Sequence, residues 1–213
     1  MEVKEMENQI TSLDVNEGRK VVPYDKDRKT ITFYDTFVDM NGDVVKYDDI
    51  AVVQSAALNS SSMIYFYFSN SFTYNFCFTT YDGVKHNFKR HGYQAYGIGS
   101  YRRIKKEFDV VAQPMYDIVF KKVADRLLDR IVNGATVNIC GLQISRDHVI
   151  FEKKKEMIVI DRSNFDHAAV SNGYGVSFAQ IYLKEVKKPI FSGNLNLDNA
   201  RLIVPIVSCL FGN

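Results

Sequence analysis

Four histidines are the side chains best suited to acid–base or metal chemistry near neutral pH: His86, His91, His148 and His167. Their spacing argues against that use. His86 and His91 stand five apart and would not share a strand face. His167 directly follows Asp166, and neighbours in a strand point to opposite faces. No His-x-x-x-His helix, Gly-x-Ser-x-Gly elbow or pair of carboxylates stands out. The cysteines, Cys77, Cys140 and Cys209, are odd in number, far apart and without a Cys-x-x-Cys spacing. That argues against a disulfide framework or a zinc site. All three lie in apolar strings and are expected as buried, inert thiols. No catalytic residue, metal or cofactor is therefore expected.

Two other features could bind a ligand. Gly92, Gly97 and Gly99 precede a helical pattern, and backbone N–H groups at a helix N-terminus attract anions. Their spacing fits neither the P-loop nor the dinucleotide fingerprint, so they read as a strand-to-helix connection. The second feature is charge. Between Gly83 and Lys106 lie seven basic residues, Lys85, Lys89, Arg90, Arg102, Arg103, Lys105 and Lys106, with no Asp or Glu among them. The whole chain is only +2, so the rest sums to −5. Tyr93, Tyr96 and Tyr101 are interleaved. Such asymmetry marks an anion-binding face or a solvated strand end followed by a basic helix start. A basic first turn opposes the helix dipole, a cost that an anionic partner offsets. Lys85 and Lys89 share a strand face, and Arg102 and Lys106 stack at i, i+4. With Arg90 and Arg103 they are expected to form one positive patch.

The elements that would position these residues follow from hydrophobic period. Residues 1–29 read as a polar tail, with only Val21-Val22 suggesting a strand and Asp25 to Lys29 a turn. From Thr30 the period is two. Asn41-Gly42, Asp82-Gly83 and Asn172-Gly173 are hairpin turns by composition, as is Ser69-Asn70-Ser71. Phe72, Tyr74, Phe76 and Phe78 share one strand face and are expected as core. Near residue 100 the period changes to 3.6 and holds to Ile131. Ser100 is the expected N-cap, Gly134 the left-handed C-terminal residue and Pro114 the site of a kink or short break. Short strands then return, separated by Arg146-Asp147 and by Lys153 to Lys155. Leu197 to Phe211 ends helical, with Asp198 as N-cap.

The fold expected is mainly β, of α+β class, with antiparallel sheets because most connections are short. Its 213 residues include 15 Phe, 13 Tyr and no Trp, a composition that favours pleated surfaces. A chain this long buries roughly 70% of its unfolded surface without staples. No apolar run approaches the ~20 residues of a membrane span. Met1 to Asn16 is acidic and mixed, unlike a signal peptide, so a cytoplasmic setting is expected.

Strands then a helix, and again strands then a helix, resemble the pleckstrin-homology-like barrel in tandem. Leu127 to Val137 is similar to the helix-then-Gly entry of PH-like and GRAM-like bacterial domains. Gly141 to Ser145 with Val149 to Phe151 is similar to their first hairpin, and Asn199 to Ile203 to their closing helix. Their usual mid-domain Trp is absent, with Ile160-Asp161 or Phe165 in its place. The resemblance implies two antiparallel PH-like barrels, residues 30–133 and 134–213, each closed by a C-terminal helix. It implies a non-enzymatic interaction role and transfers no functional residue.

Two functions are expected to compete. One is a binding module whose basic stretch faces an acidic protein partner or an anionic membrane surface, peripheral at its inner side. The other is a self-associating, homo-oligomeric protein with no small ligand. No nucleic-acid partner is expected.

Overall fold

The computed structural model describes residues 19–21, 30–64, 67–173 and 176–212. Strands β1 (Arg19–Val21), β2 (Ile31–Phe33), β3 (Phe37–Met40) and β4 (Asp43–Lys46) form one sheet in sequence order. β5 (Ile50–Ile64), β6 (Tyr67–Thr80), β7 (Lys85–Ala95) and β8 (Ile98–Gly99) form a second. The helical run follows, as α1 (Tyr101–Pro114), a π-helical segment (Met115–Phe120) and α2 (Lys121–Val132). The pattern then repeats. β9 (Val137–Ile139), β10 (Leu142–Ile144), β11 (Val149–Lys153) and β12 (Glu156–Ile160) form a third sheet. β13 (Phe165–Gly173), β14 (Val176–Leu183) and β15 (Phe191–Asn194) form a fourth, before a short 3-10 turn and α3 (Ile203–Phe211). Every pairing among the described strands is antiparallel. The protein is mainly β, as the period-two patterns predict.

Several expectations need correction. Among the described residues the sheets do not close into barrels: β1 and β4 end the first sheet, β5 and β8 the second, β9 and β12 the third, β13 and β15 the fourth. Most of the expected tail and the Asp25 to Lys29 turn lie outside the described residues, but β1 already pairs with β2, so the first sheet begins before residue 30. Ser69-Asn70-Ser71 is not a turn. It pairs with Ser62, Ser61 and Ser60 inside the β5–β6 ladder, near its hairpin end. Ser62 Oγ bonds Ser69 Oγ at 2.6 Å, and Ser61 Oγ donates to Asn70 Oδ1 at 2.7 Å. Cross-strand polar pairs satisfy residues whose composition alone suggests a loop. Asn172 and Gly173 likewise remain in strand, opposite Ser177 and Val176.

The helical run is continuous through Pro114. Proline removes one donor from the ladder. Instead of the expected kink or break, the chain widens into the π segment, where the Lys121 N–H reaches the Tyr116 carbonyl. Ser100 is the N-cap but makes no side-chain cap bond. Gly134 closes the run at φ 95°, with the Gly134 and Ala135 N–H groups donating to the Ile131 and Arg130 carbonyls. Before α3 the expected cap at Asp198 gives way to Asn199, at φ 56°.

Phe72, Tyr74, Phe76 and Phe78 are all buried, and Phe108 of α1 packs over the first three. Buried residues of all four sheets and the three helices form one apolar cluster. α2 sits on the turn that joins the first two sheets. Its Arg126 donates to the carbonyls of Tyr47, Asp48 and Ile50, and its Lys122 ammonium lies 4.9 Å from the Tyr47 ring centre.

Candidate functional site

β7 sorts the basic residues by strict alternation. Lys85, Asn87, Lys89, His91 and Tyr93 are exposed, while Phe88, Arg90, Gly92 and Gln94 are buried. The buried face meets α1. A Cβ on Gly92 would come within 2.9 Å of Ile104 Cβ. Lys85 and Lys89 therefore lie on the sheet face away from α1. Arg102, Lys105 and Lys106 are exposed on α1, and Arg103 is half-buried there. The expected single patch is thus divided by the sheet, with Arg90 inside it.

Arg90 belongs to a buried network. Its Nε donates to Glu107 Oε1 at 2.9 Å and its Nη2 to Glu107 Oε2 at 3.2 Å, with both side chains within 5% of full burial. Tyr74 Oη donates to Glu107 Oε1, the oxygen that also accepts from Arg90 Nε. Burial, and then the Glu107 charge, push the Tyr74 hydroxyl pKa far above its ordinary value. Three elements, β6, β7 and α1, are tied by one charge pair and one phenol. Buried charges that satisfy one another across three elements read as a structural tie.

The far end of the second sheet is chemically distinct. Tyr101 Oη donates to Asn59 Oδ1 at 3.1 Å, and the Ser100 N–H donates to the Tyr93 carbonyl at 2.8 Å, so α1 starts near this end. β5 and β6 continue past it. Met63 pairs with Phe68 and Ile98 with Ala95, beyond the Phe72–Gly92 level. Met63 is 60% exposed, Phe68 58%, Tyr96 72% and Ile98 81%, which makes an apolar end with the basic turns of α1 behind it. Between Ile50 and Lys106 the only acidic residue is Asp82, in the turn at the opposite end of the sheet.

The remaining candidates are dispersed. His86 Nδ1 pairs with Asp43 at 2.9 Å, and His91 Nδ1 with Thr73 Oγ1 at 2.7 Å. His167 does meet Asp166, at 2.8 Å, and stacks on Tyr182, because a bulge between Phe165 and His167 breaks the alternation. Cys77 is buried as expected, but Cys140 is half-buried and Cys209 is exposed on α3. Among the described residues no three His, Cys, Asp or Glu side chains are grouped to hold a metal. Gly97 and Gly99 serve the β7–β8 hairpin. Tyr96-Gly97 makes its turn, and a Cβ on Gly99 would strike the Tyr93 carbonyl.

The two halves meet along β5. The Asn199 N–H donates to the Val53 carbonyl at 2.8 Å, and the Val53 N–H to Asn199 Oδ1 at 2.9 Å. Gln54 Nε2 donates to the Asn196 carbonyl at 2.7 Å, and the Arg201 guanidinium lies over the Tyr116 ring at 4.9 Å. No helix among the described residues is long and apolar enough to cross a membrane. No family model matches this chain, and no curated protein is similar to it.

Proposed function

We propose that the protein is a non-enzymatic binding module that recognises an anionic partner through the first turns of α1. The residues that carry the recognition are Arg102, Lys105 and Lys106. Lys85 and Lys89, on the other sheet face, add to the long-range field and not to the contact. The observation behind this reading is the charge of the sheet end. Arg102, Lys105 and Lys106 are exposed on the helix that starts beside it, and the one acidic residue between Ile50 and Lys106, Asp82, lies in the turn at the opposite end. Like charges on a helix repel by a few tenths of a kcal/mol per pair, a cost that an anionic partner reverses.

The order of elements supports a tandem pleckstrin-homology-like reading. Each half runs as a four-stranded sheet, a second sheet of three or four strands, and a helix. In this reading the halves are open variants of that fold, and the basic face is a peripheral attachment surface.

The test uses the full chain with two anionic probes, phosphatidylserine-containing vesicles and polyglutamate. Binding to at least one, falling steeply as salt rises and lost in an Arg102→Glu, Lys105→Glu, Lys106→Glu triple variant, is expected. Binding to neither, or an unaffected triple variant, refutes the reading.

A further inference from the structure

We infer that the apolar end of the second sheet inserts into the interfacial layer of an anionic bilayer, while α1 holds the lipid headgroups. The inference rests on the charge reading above and narrows its partner to a lipid surface.

The geometry carries it. Met63 and Phe68 face the same side as Phe72, whereas Ile98 lies on the other, in one row with Ala95, Ser69 and Ser62, so each face of the projecting end carries at least one exposed apolar side chain. Four residues separate Phe72, which is buried under α1, from Phe68, which is exposed. The last buried level on that side is Gln94, opposite Asn70 and two residues before Phe68, so at ~3.4 Å per residue the end extends roughly 7 Å beyond the core. That matches the ~5–10 Å depth at which interfacial apolar side chains settle. Arg102, Lys105 and Lys106 stand in the first two turns of α1, behind the end and on the same part of the molecule. An apolar wedge with cations set behind it fits a bilayer, which presents hydrocarbon below and negative charge above.

Two other occupants fit less well. A second copy joined end to end would bring two clusters of Arg102, Lys105 and Lys106 together, and like charges repel. An acidic protein would answer the cations and leave Met63, Phe68 and Ile98 unexplained.

The experiment compares the full chain with a Met63→Ser, Phe68→Ser, Ile98→Ser variant. Each binds vesicles of phosphatidylcholine with and without phosphatidylserine, at low and high salt. The apolar variant is expected to bind about tenfold or more weakly at both salt concentrations, with its salt dependence unchanged. A Phe68→Leu, Ile98→Leu variant keeps the wild-type affinity. A second readout needs no variant: wild-type protein injected under an anionic lipid monolayer raises the surface pressure.

Equal affinity of the serine variant, or no pressure rise, overturns insertion while the charge reading stands. So does binding to polyglutamate without binding to vesicles, which identifies a protein partner. So does a wild-type dimer that the serine variant dissolves with vesicle binding unchanged. Failure to bind any anionic probe removes the charge reading and the insertion together.

Discussion

At the scale of residues, the Arg90–Glu107 pair decides the most. It was within reach of the sequence. Lys89 and Arg90 are neighbours in a strand, so one of them had to face inward. Glu107 follows Ile104 by three and precedes Val111 by four, which places it on the apolar stripe of α1. The pair is legible only when the two patterns are read together, since each residue alone reads as surface charge. His167 was not legible, because a bulge leaves no mark in residue type. Removing one partner leaves a buried charge, so Glu107→Gln or Arg90→Met should lower unfolding free energy by about 3–5 kcal/mol. The double change Arg90→Met, Glu107→Leu should cost less than either single change. Urea denaturation of the three variants checks this.

The same network sets an alkaline limit. Burial, followed by the Glu107 charge, raises the Tyr74 pKa in the folded state. The unfolded tyrosine, at about 10, then loses its proton first. Stability from this group is complete below about pH 10 and declines as pH rises above it. Tyr74→Phe should make that decline shallower in melts taken between neutral and strongly alkaline pH.

At the scale of elements, the alternating aromatics of β6 and the 3.6 period of α1 and α2 were plain, because each repeats one pattern over many residues. Composition places the turn of the β5–β6 hairpin at Ser69 to Ser71, inside what is β6. Serine and asparagine mark turns by composition, yet here they face one another across the ladder and bond in pairs. Pro114 predicts a kink or short break by residue type, but packing of Val111, Met115 and Val119 into the core keeps the run continuous. Phe76 has no exposed surface, and Phe76→Ala should cost about 3–5 kcal/mol, seen as a markedly lower melting temperature. Gly92→Ala probes the contact between β7 and α1. Its new methyl would lie 2.9 Å from Ile104 and 3.0 Å from the Ser100 carbonyl, so a loss of about 1–3 kcal/mol is expected on denaturation.

At the scale of the whole molecule, strands then helix, twice, was legible. The junction between the halves was not. It depends on Asn199, whose backbone and side chain pair with Val53 as a neighbouring strand would. Contacts between residues so distant in sequence leave no local signal. Asn199→Ala leaves the Val53 N–H without its acceptor and strains the positive φ, so a loss of about 1–3 kcal/mol in denaturant unfolding is expected. The basic stretch was visible in the sequence, but its division by the sheet emerged only once β7 and α1 were placed.

The most direct measurement on the central claim is the affinity of the full chain for phosphatidylserine-containing vesicles at low salt, before and after Arg102→Ala, Lys105→Ala, Lys106→Ala. Each cation near such a surface contributes about 1 kcal/mol, so the triple change should weaken binding by about 3 kcal/mol, roughly a hundredfold. A wild-type protein that binds with the same affinity as the triple variant would contradict the account.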